Sequence, residues 1–129
     1  MNTYDITVFL EDTDAGGIVY HARYLNFMER ARTTFFYHKG VNHGQLIASK
    51  TGNFVVTHID IRYIKPAKLG NQLSIHTNLT EIRGASIVCK QNIMHMGEKL
   101  AEATVTLAFI HPETGVPLRI PESIKQHIH

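Results

Sequence analysis

Residues 23–39 place Tyr24, Phe27, Met28, Ala31 and Phe35 at helical spacing, and no other stretch is as good a candidate for a long helix. One amphipathic helix cannot bury its stripe alone, so the rest of the chain must supply the surface that covers it. Arg23, Glu29, Arg30 and Arg32 are expected on the wetter side. Glu29 and Arg32, three residues apart, could pair, but an exposed pair of this kind contributes only about 0.2 to 0.5 kcal/mol. The apolar stripe therefore holds the helix, and Gly40 offers its stop.

The remaining segments read mostly as strands. Residues 4–10, YDITVFL, predict a first strand, followed by the flexible turn Ala15-Gly16-Gly17. Residues 41–53 lack a stable period and read as a loop that could hold a short helical turn, long enough to frame or cover a site. Past Gly52 the period is two, with Val55, Thr57, Ile59, Ile61 and Tyr63 on one face and Phe54, Val56, His58, Asp60 and Arg62 on the other, until Pro66. Leu73, Ile75, Thr77 and Leu79 mark the next strand, and residues 85–96 another. The turn at residues 96–99 leads to a fifth, with Ala101, Ala103, Val105, Leu107 and Phe109 in a row. Pro121 can open a short terminal helix.

Strand, long helix, then strands joined by short turns predicts an α+β architecture, an antiparallel sheet of about five strands with the helix on one face. Phe54, Val56 and Ile64 are left over for partner contact or an acyl site. A chain of 129 residues has room for one core, so a single domain over residues 1–129 is expected. The net charge of +2 is too small to imply nucleic-acid binding but tolerates an anionic ligand. The single cysteine, Cys89, sits in an apolar run and reads as a small core residue. No leader-like or bilayer-length apolar stretch is present in the sequence, so a cytoplasmic protein is expected, with reversible docking on a membrane or a lipid enzyme left open.

The most informative segment is EDTDAGGIVYHARYLNFMERAR, residues 11–32, which combines an Asp, a glycine turn, a Tyr-His pair and the start of the amphipathic helix at fixed offsets. It resembles the signature of the 4-hydroxybenzoyl-CoA thioesterase class of hotdog proteins, and more closely its YbgC-type acyl-CoA thioesterase branch. The resemblance continues through IDIRYIKPAKLG to LRIPESI and so covers most of the chain. It implies one long helix wrapped by a curved antiparallel sheet, a homodimer or a tetramer built from dimers, active sites at the subunit interface and an acyl-CoA substrate. Asp14 matches the catalytic carboxylate of the family. His21 matches the position at the helix entrance whose backbone N–H faces the thioester carbonyl. Arg23 departs from the pattern, which often has Asn or a small polar residue there.

The residues support the same chemistry by themselves. A thioester is hydrolysed without a metal if fixed donors meet its carbonyl oxygen and water is activated nearby. Gly16 and Gly17 permit close backbone approach, and the free N–H groups of a helix beginning near Arg23 supply a positive end. Asp14 would deprotonate water, or attack the carbonyl to give a mixed anhydride. Asp12, by contrast, is expected to tie down the turn. Tyr20, Tyr24, Phe27 and the loop of residues 41–53 could bound the acyl pocket. Arg62, Lys65 and Lys68 form a modest basic patch, either a solvated strand end or a contact for CoA phosphates.

Neither metal nor cofactor is expected. The nine histidines are dispersed apart from His127 and His129, with no HExxH arrangement or cysteine pair, and GxGxxG, Walker and GxSxG patterns are missing. Two alternatives stand beside acyl-CoA hydrolysis: dehydration of a hydroxyacyl thioester, and a catalytically silent CoA- or lipid-binding module.

Overall fold

The computed structural model describes residues 2–129. Strand β1 spans Thr3–Thr7 and the long helix α1 spans Arg23–His38. A short helix α2, His43–Ala48, precedes β2, Asn53–Tyr63. Then come β3, Gln72–Ile82, β4, Ser86–His95, β5, Glu98–Ile110, and the terminal helix α3, Glu122–Ile128. The strands form one antiparallel sheet in the order β1-β3-β4-β5-β2, with α1 lying over β1 and β3.

The helix forms where its period predicts and ends at Gly40, whose φ of +84° is one a side chain would strain. Tyr24, Phe27, Met28, Ala31 and Phe35 are buried, facing Ile75 of β3, Ile87, Cys89 and Ile93 of β4, and the β5 row Ala101, Ala103, Val105, Leu107 and Phe109. Cys89 is sealed in this core, and burial pushes its thiol pKa up to about 11.

Four features depart from the pattern in the sequence. First, β1 stops at Thr7, and Leu10–Asp12 form a 3-10 turn that leaves Phe9 and Leu10 exposed. Second, part of the expected loop is α2, started by the Asn42 side chain, which accepts the N–H of Gln45 at 3.0 Å. Third, Arg32 is not on the wet side but 5% exposed, and instead of pairing with Glu29 it donates from Nη1 to Oε1 of Gln91 at 3.0 Å. Gln91 spends its amide hydrogens on the Met28 carbonyl and the Thr77 hydroxyl, both at 2.9 Å, so this buried polar group is fully used.

The fourth departure concerns β2. Its register against β5 slips between Val56 and His58, leaving Thr57 as an extra residue. Phe54 and Val56 pair with Phe109 and Leu107, while Ile59, Ile61 and Tyr63 pair with Val105, Ala103 and Ala101. All five thus share the helix-facing side instead of dividing between two faces. Phe54 is core, stacked 5.4 Å from Phe36 and 4.9 Å from Phe109, whereas Val56 and Tyr63 stay 42% and 44% exposed at the β2 edge of the sheet, which α1 covers only in part.

Candidate active site

Segment 12–20 folds back on itself. Tyr20 N–H donates to the Asp12 carbonyl at 3.1 Å, Thr13 bridges Val19, and Asp14 N–H donates to the Ile18 carbonyl at 3.0 Å. Gly17 closes the turn by donating to the Asp14 carbonyl at 3.1 Å with a φ of +77°, which explains why glycine stands there. The returning arm is pinned to the β2–β3 connection, where Val19 N–H donates to Ala67 at 2.8 Å and Leu69 N–H to Gly17 at 3.0 Å. The tip of this small hairpin carries Asp14, and its return arm runs directly into α1.

The Asp14 carboxylate is exposed at that tip. Its Oδ1 accepts the Gly16 N–H at 2.8 Å, while Oδ2 has no partner among the described residues. A Cβ on Gly16 would lie 3.3 Å from that Oδ1, so Gly16 leaves room for the carboxylate to bend back onto its own turn. Asp12 is buried and braces the base, taking the Phe9 N–H at 2.9 Å and the Arg23 guanidinium at 3.2 Å. Arg23 therefore points back to the hairpin from the first residue of α1.

The helix entrance leaves donors open. Arg23, Tyr24 and Leu25 donate to the carbonyls of Tyr20, His21 and Ala22, but the N–H groups of His21 and Ala22 have no partner among the described residues. Ala22 at the N-cap offers no capping side chain, and no acidic residue lies in the first turn. The His21 carbonyl accepts the Tyr63 hydroxyl at 3.0 Å from the end of β2. The Tyr20 and His21 rings lie 4.4 Å apart and both are exposed. Burial and the nearby Tyr24 hold the Tyr63 phenol above its ordinary pKa, so it stays a donor.

Tyr24 is placed away from the open surface. It is 3% exposed, its hydroxyl accepts the Ala67 N–H at 2.9 Å, and its ring backs Tyr63 at 5.1 Å. Phe27 is likewise core. In the basic patch, Arg62 reaches Glu102 at 3.8 Å and Lys65 pairs with Glu98. Lys68 pairs with no carboxylate among the described residues, and its backbone bridges Ile18 of the hairpin. A hollow of about 400 Å³ lies beside it, lined by Lys65, Asn71, His95 and Leu100 among others. Tyr63 is the site residue that sequence reasoning missed, since nothing local marks a strand tyrosine as the partner of a peptide 42 residues away. Among the described residues no three His, Cys, Asp or Glu side chains gather as metal ligands, and no helix is long and apolar enough to cross a membrane.

One long helix against a five-stranded antiparallel sheet, with an exposed carboxylate and open backbone donors at the helix entrance, defines a hotdog-fold protein. The sequence agrees with a family model described as the thioesterase-like superfamily over residues 8–128, and the chain belongs to that family. It is 40% identical to an Escherichia coli acyl-CoA thioester hydrolase, YbgC, covering 96% of each chain. It is 37% identical to the acyl-CoA thioesterase YbgC of Haemophilus influenzae, covering 98% of this chain and 93% of that one. Among solved structures, a probable thioesterase from Bartonella henselae superposes with a TM-score of 0.86 at 39% identity, covering 92% of this chain and 98% of that one.

Proposed function

We propose that this thioesterase hydrolyses an acyl-CoA to a carboxylic acid and free CoA, with Asp14 as its catalytic carboxylate and the peptide N–H groups of His21 and Ala22 as the carbonyl's donors. The observation that carries this reading is the pair of unpartnered N–H groups where the Asp14 hairpin runs into α1. A thioester carbonyl accepts these donors, and they bind more strongly as its oxygen gains charge. Water, with its proton passing to Asp14, adds to the carbonyl carbon; collapse of the tetrahedral intermediate then breaks the C–S bond, and the CoA thiolate leaves and takes up a proton. In the alternative route Asp14 itself attacks, and water hydrolyses the resulting mixed anhydride.

Gly16 and Gly17 keep the tip of the hairpin narrow enough for the thioester to approach. The exposed rings of Tyr20 and His21 flank the opening, and Tyr24 supports Tyr63 from behind. Lys68 is the cation best placed for a CoA phosphate, because Arg62 and Lys65 already face carboxylates. The relatives named YbgC, with acyl-CoA in their descriptions, support the substrate class. A second copy of the chain is the expected partner, since β2 is an eleven-residue strand at the sheet edge with Val56 and Tyr63 exposed along it and Ile64 exposed just past its end.

Thiol release from a panel of acyl-CoAs tests the reaction. Asp14→Asn is expected to lower kcat by at least about 100-fold while light scattering finds the same assembly. Near-normal turnover in the folded variant would remove Asp14 from the chemistry. Release of thiol from no acyl-CoA, despite measurable CoA binding, would favour a silent binding module instead.

A further inference from the structure

Arg32 is a buried cation without a counter-ion. It is 5% exposed, it spends one nitrogen on neutral Gln91, and no carboxylate comes within ion-pairing distance of it among the described residues. It lines a cavity of about 470 Å³ between α1 and the β2 edge, together with Thr33, His43, Asn53, Phe54 and Val56. A guanidinium keeps its charge even when burial works against it, so this wall of the cavity is positive. Glu29 also reaches the cavity, and its charge partly offsets burial at Arg32 and His43, but it is exposed and forms no ion pair with Arg32. His43 stands half-buried, its ring edge-on to Phe36 and Phe54, and burial together with Arg32 depresses its pKa, leaving a neutral imidazole.

The cavity is linked to the helix entrance by the row that the β2 bulge keeps on one face. Tyr63 at one end holds His21; Ile61 and Ile59 follow; Val56 and Phe54 at the other end line the cavity. Arg23 and Arg32 are nine residues apart on α1, which is about 13 Å at 1.5 Å of rise per residue. An extended chain advances about 1.2 Å per bond, so about eleven bonds span that distance, and about ten carbons suffice because a helical side chain leans toward the N-terminus.

We propose that this cavity receives the far end of an acyl chain that terminates in a carboxylate, and that Arg32 recognises it, making ω-carboxyacyl thioesters substrates. The inference rests on the thioesterase reading above. A terminal carboxylate supplies the anion that Arg32 lacks and accepts its free N–H groups, while Val56, Ile59 and Ile61 meet the methylenes.

Two ten-carbon substrates decide it: decanoyl-CoA and the CoA monothioester of decanedioic acid. The wild-type protein is expected to hydrolyse the carboxylate-ended thioester with a kcat/KM at least equal to that of the methyl-ended one. Arg32→Met is expected to lower kcat/KM for the former by at least about tenfold, mostly through KM, and for the latter by less than about threefold. The non-hydrolysable thioether S-(9-carboxynonyl)-CoA is expected to bind the wild-type protein more tightly than S-decyl-CoA in calorimetry, a comparison in which CoA anchors one end and only the far end differs, and which needs no variant and no turnover. Preference for decanoyl-CoA, an equal loss on both substrates in a folded Arg32→Met protein, or no advantage of the carboxylate-ended thioether over S-decyl-CoA would each overturn the proposal. Absence of thiol release from every acyl-CoA would defeat the hydrolase reading, and the calorimetric comparison would still judge the cavity.

Discussion

The hydroxyl of Tyr63 acts at a distance of one peptide plane. By donating to the His21 carbonyl at 3.0 Å it fixes the His21–Ala22 peptide, and because that unit is planar and trans, the Ala22 N–H must point the opposite way. In the proposed mechanism Tyr63 is thus a positioning residue: it aims a backbone donor without meeting the substrate's carbonyl itself. Tyr63→Phe is expected to lower kcat by about 5- to 30-fold with little change in KM, less than the loss from removing a donor outright. Far-ultraviolet dichroism should be unchanged, as the ring remains to pack on Tyr24. Unaltered kcat would show that the helix entrance holds its own geometry. Asp14, Gly16, Gly17 and His21, proposed for this site, could be picked out as a group in the sequence because they lie close together, each at a fixed offset from the next. Tyr63 was not, because only the folded sheet brings β2 to the helix entrance.

Between elements, Gln91 joins α1 to the middle of the sheet. It binds Arg32 and the Met28 carbonyl on the helix and Thr77 on β3, with no exposed surface of its own. Gln91→Leu preserves volume but strips the guanidinium of its acceptor and the Met28 carbonyl of a donor. The expected cost is about 2 to 4 kcal/mol, read from urea unfolding, because the polar groups left behind are buried. A loss below about 1 kcal/mol would mean that water reaches these groups and replaces the amide. The helix limits and the five strands could be read from periodicity, since a period needs only near neighbours. The burial of Arg32 could not, because a cation on a helix is ordinarily solvated and the amide that receives it lies 59 residues away. The bulge at Thr57 was hidden for a related reason: threonine suits a regular strand as well as an irregular one.

For the molecule as a whole, His43 makes stability depend on pH. Its pKa in the folded protein is depressed, by burial first and by Arg32 second, while the unfolded chain keeps a value of about 6.5. Between the two values the unfolded state binds more protons, so stability is fully present above about pH 6.5 and is lost as pH falls toward the depressed value. Unfolding midpoints in urea are expected to drop between pH 7.5 and 5.5, and the drop should be smaller in His43→Gln. An identical pH dependence in the variant would assign the acid sensitivity elsewhere. The architecture of helix and antiparallel sheet was already implied by the order of periods along the chain, whereas the place of the cavity depends on which half of the sheet the helix leaves bare.

The extra residue in β2 has a bearing on how such a protein could diversify. Insertions and deletions inside strands are usually ruinous, since each reverses the parity of everything beyond it. Here Thr57 already absorbs one reversal, and it divides the strand into a Tyr63 half that meets the helix entrance and a Phe54 half that lines the cavity beside Arg32. Each half is anchored on its own stretch of β5, so under the proposed acyl site substitutions near Phe54 and Val56 would retune which chains are accepted without disturbing the peptide held by Tyr63. Under that proposal the irregularity is a firebreak, letting substrate choice drift while the chemistry stays put.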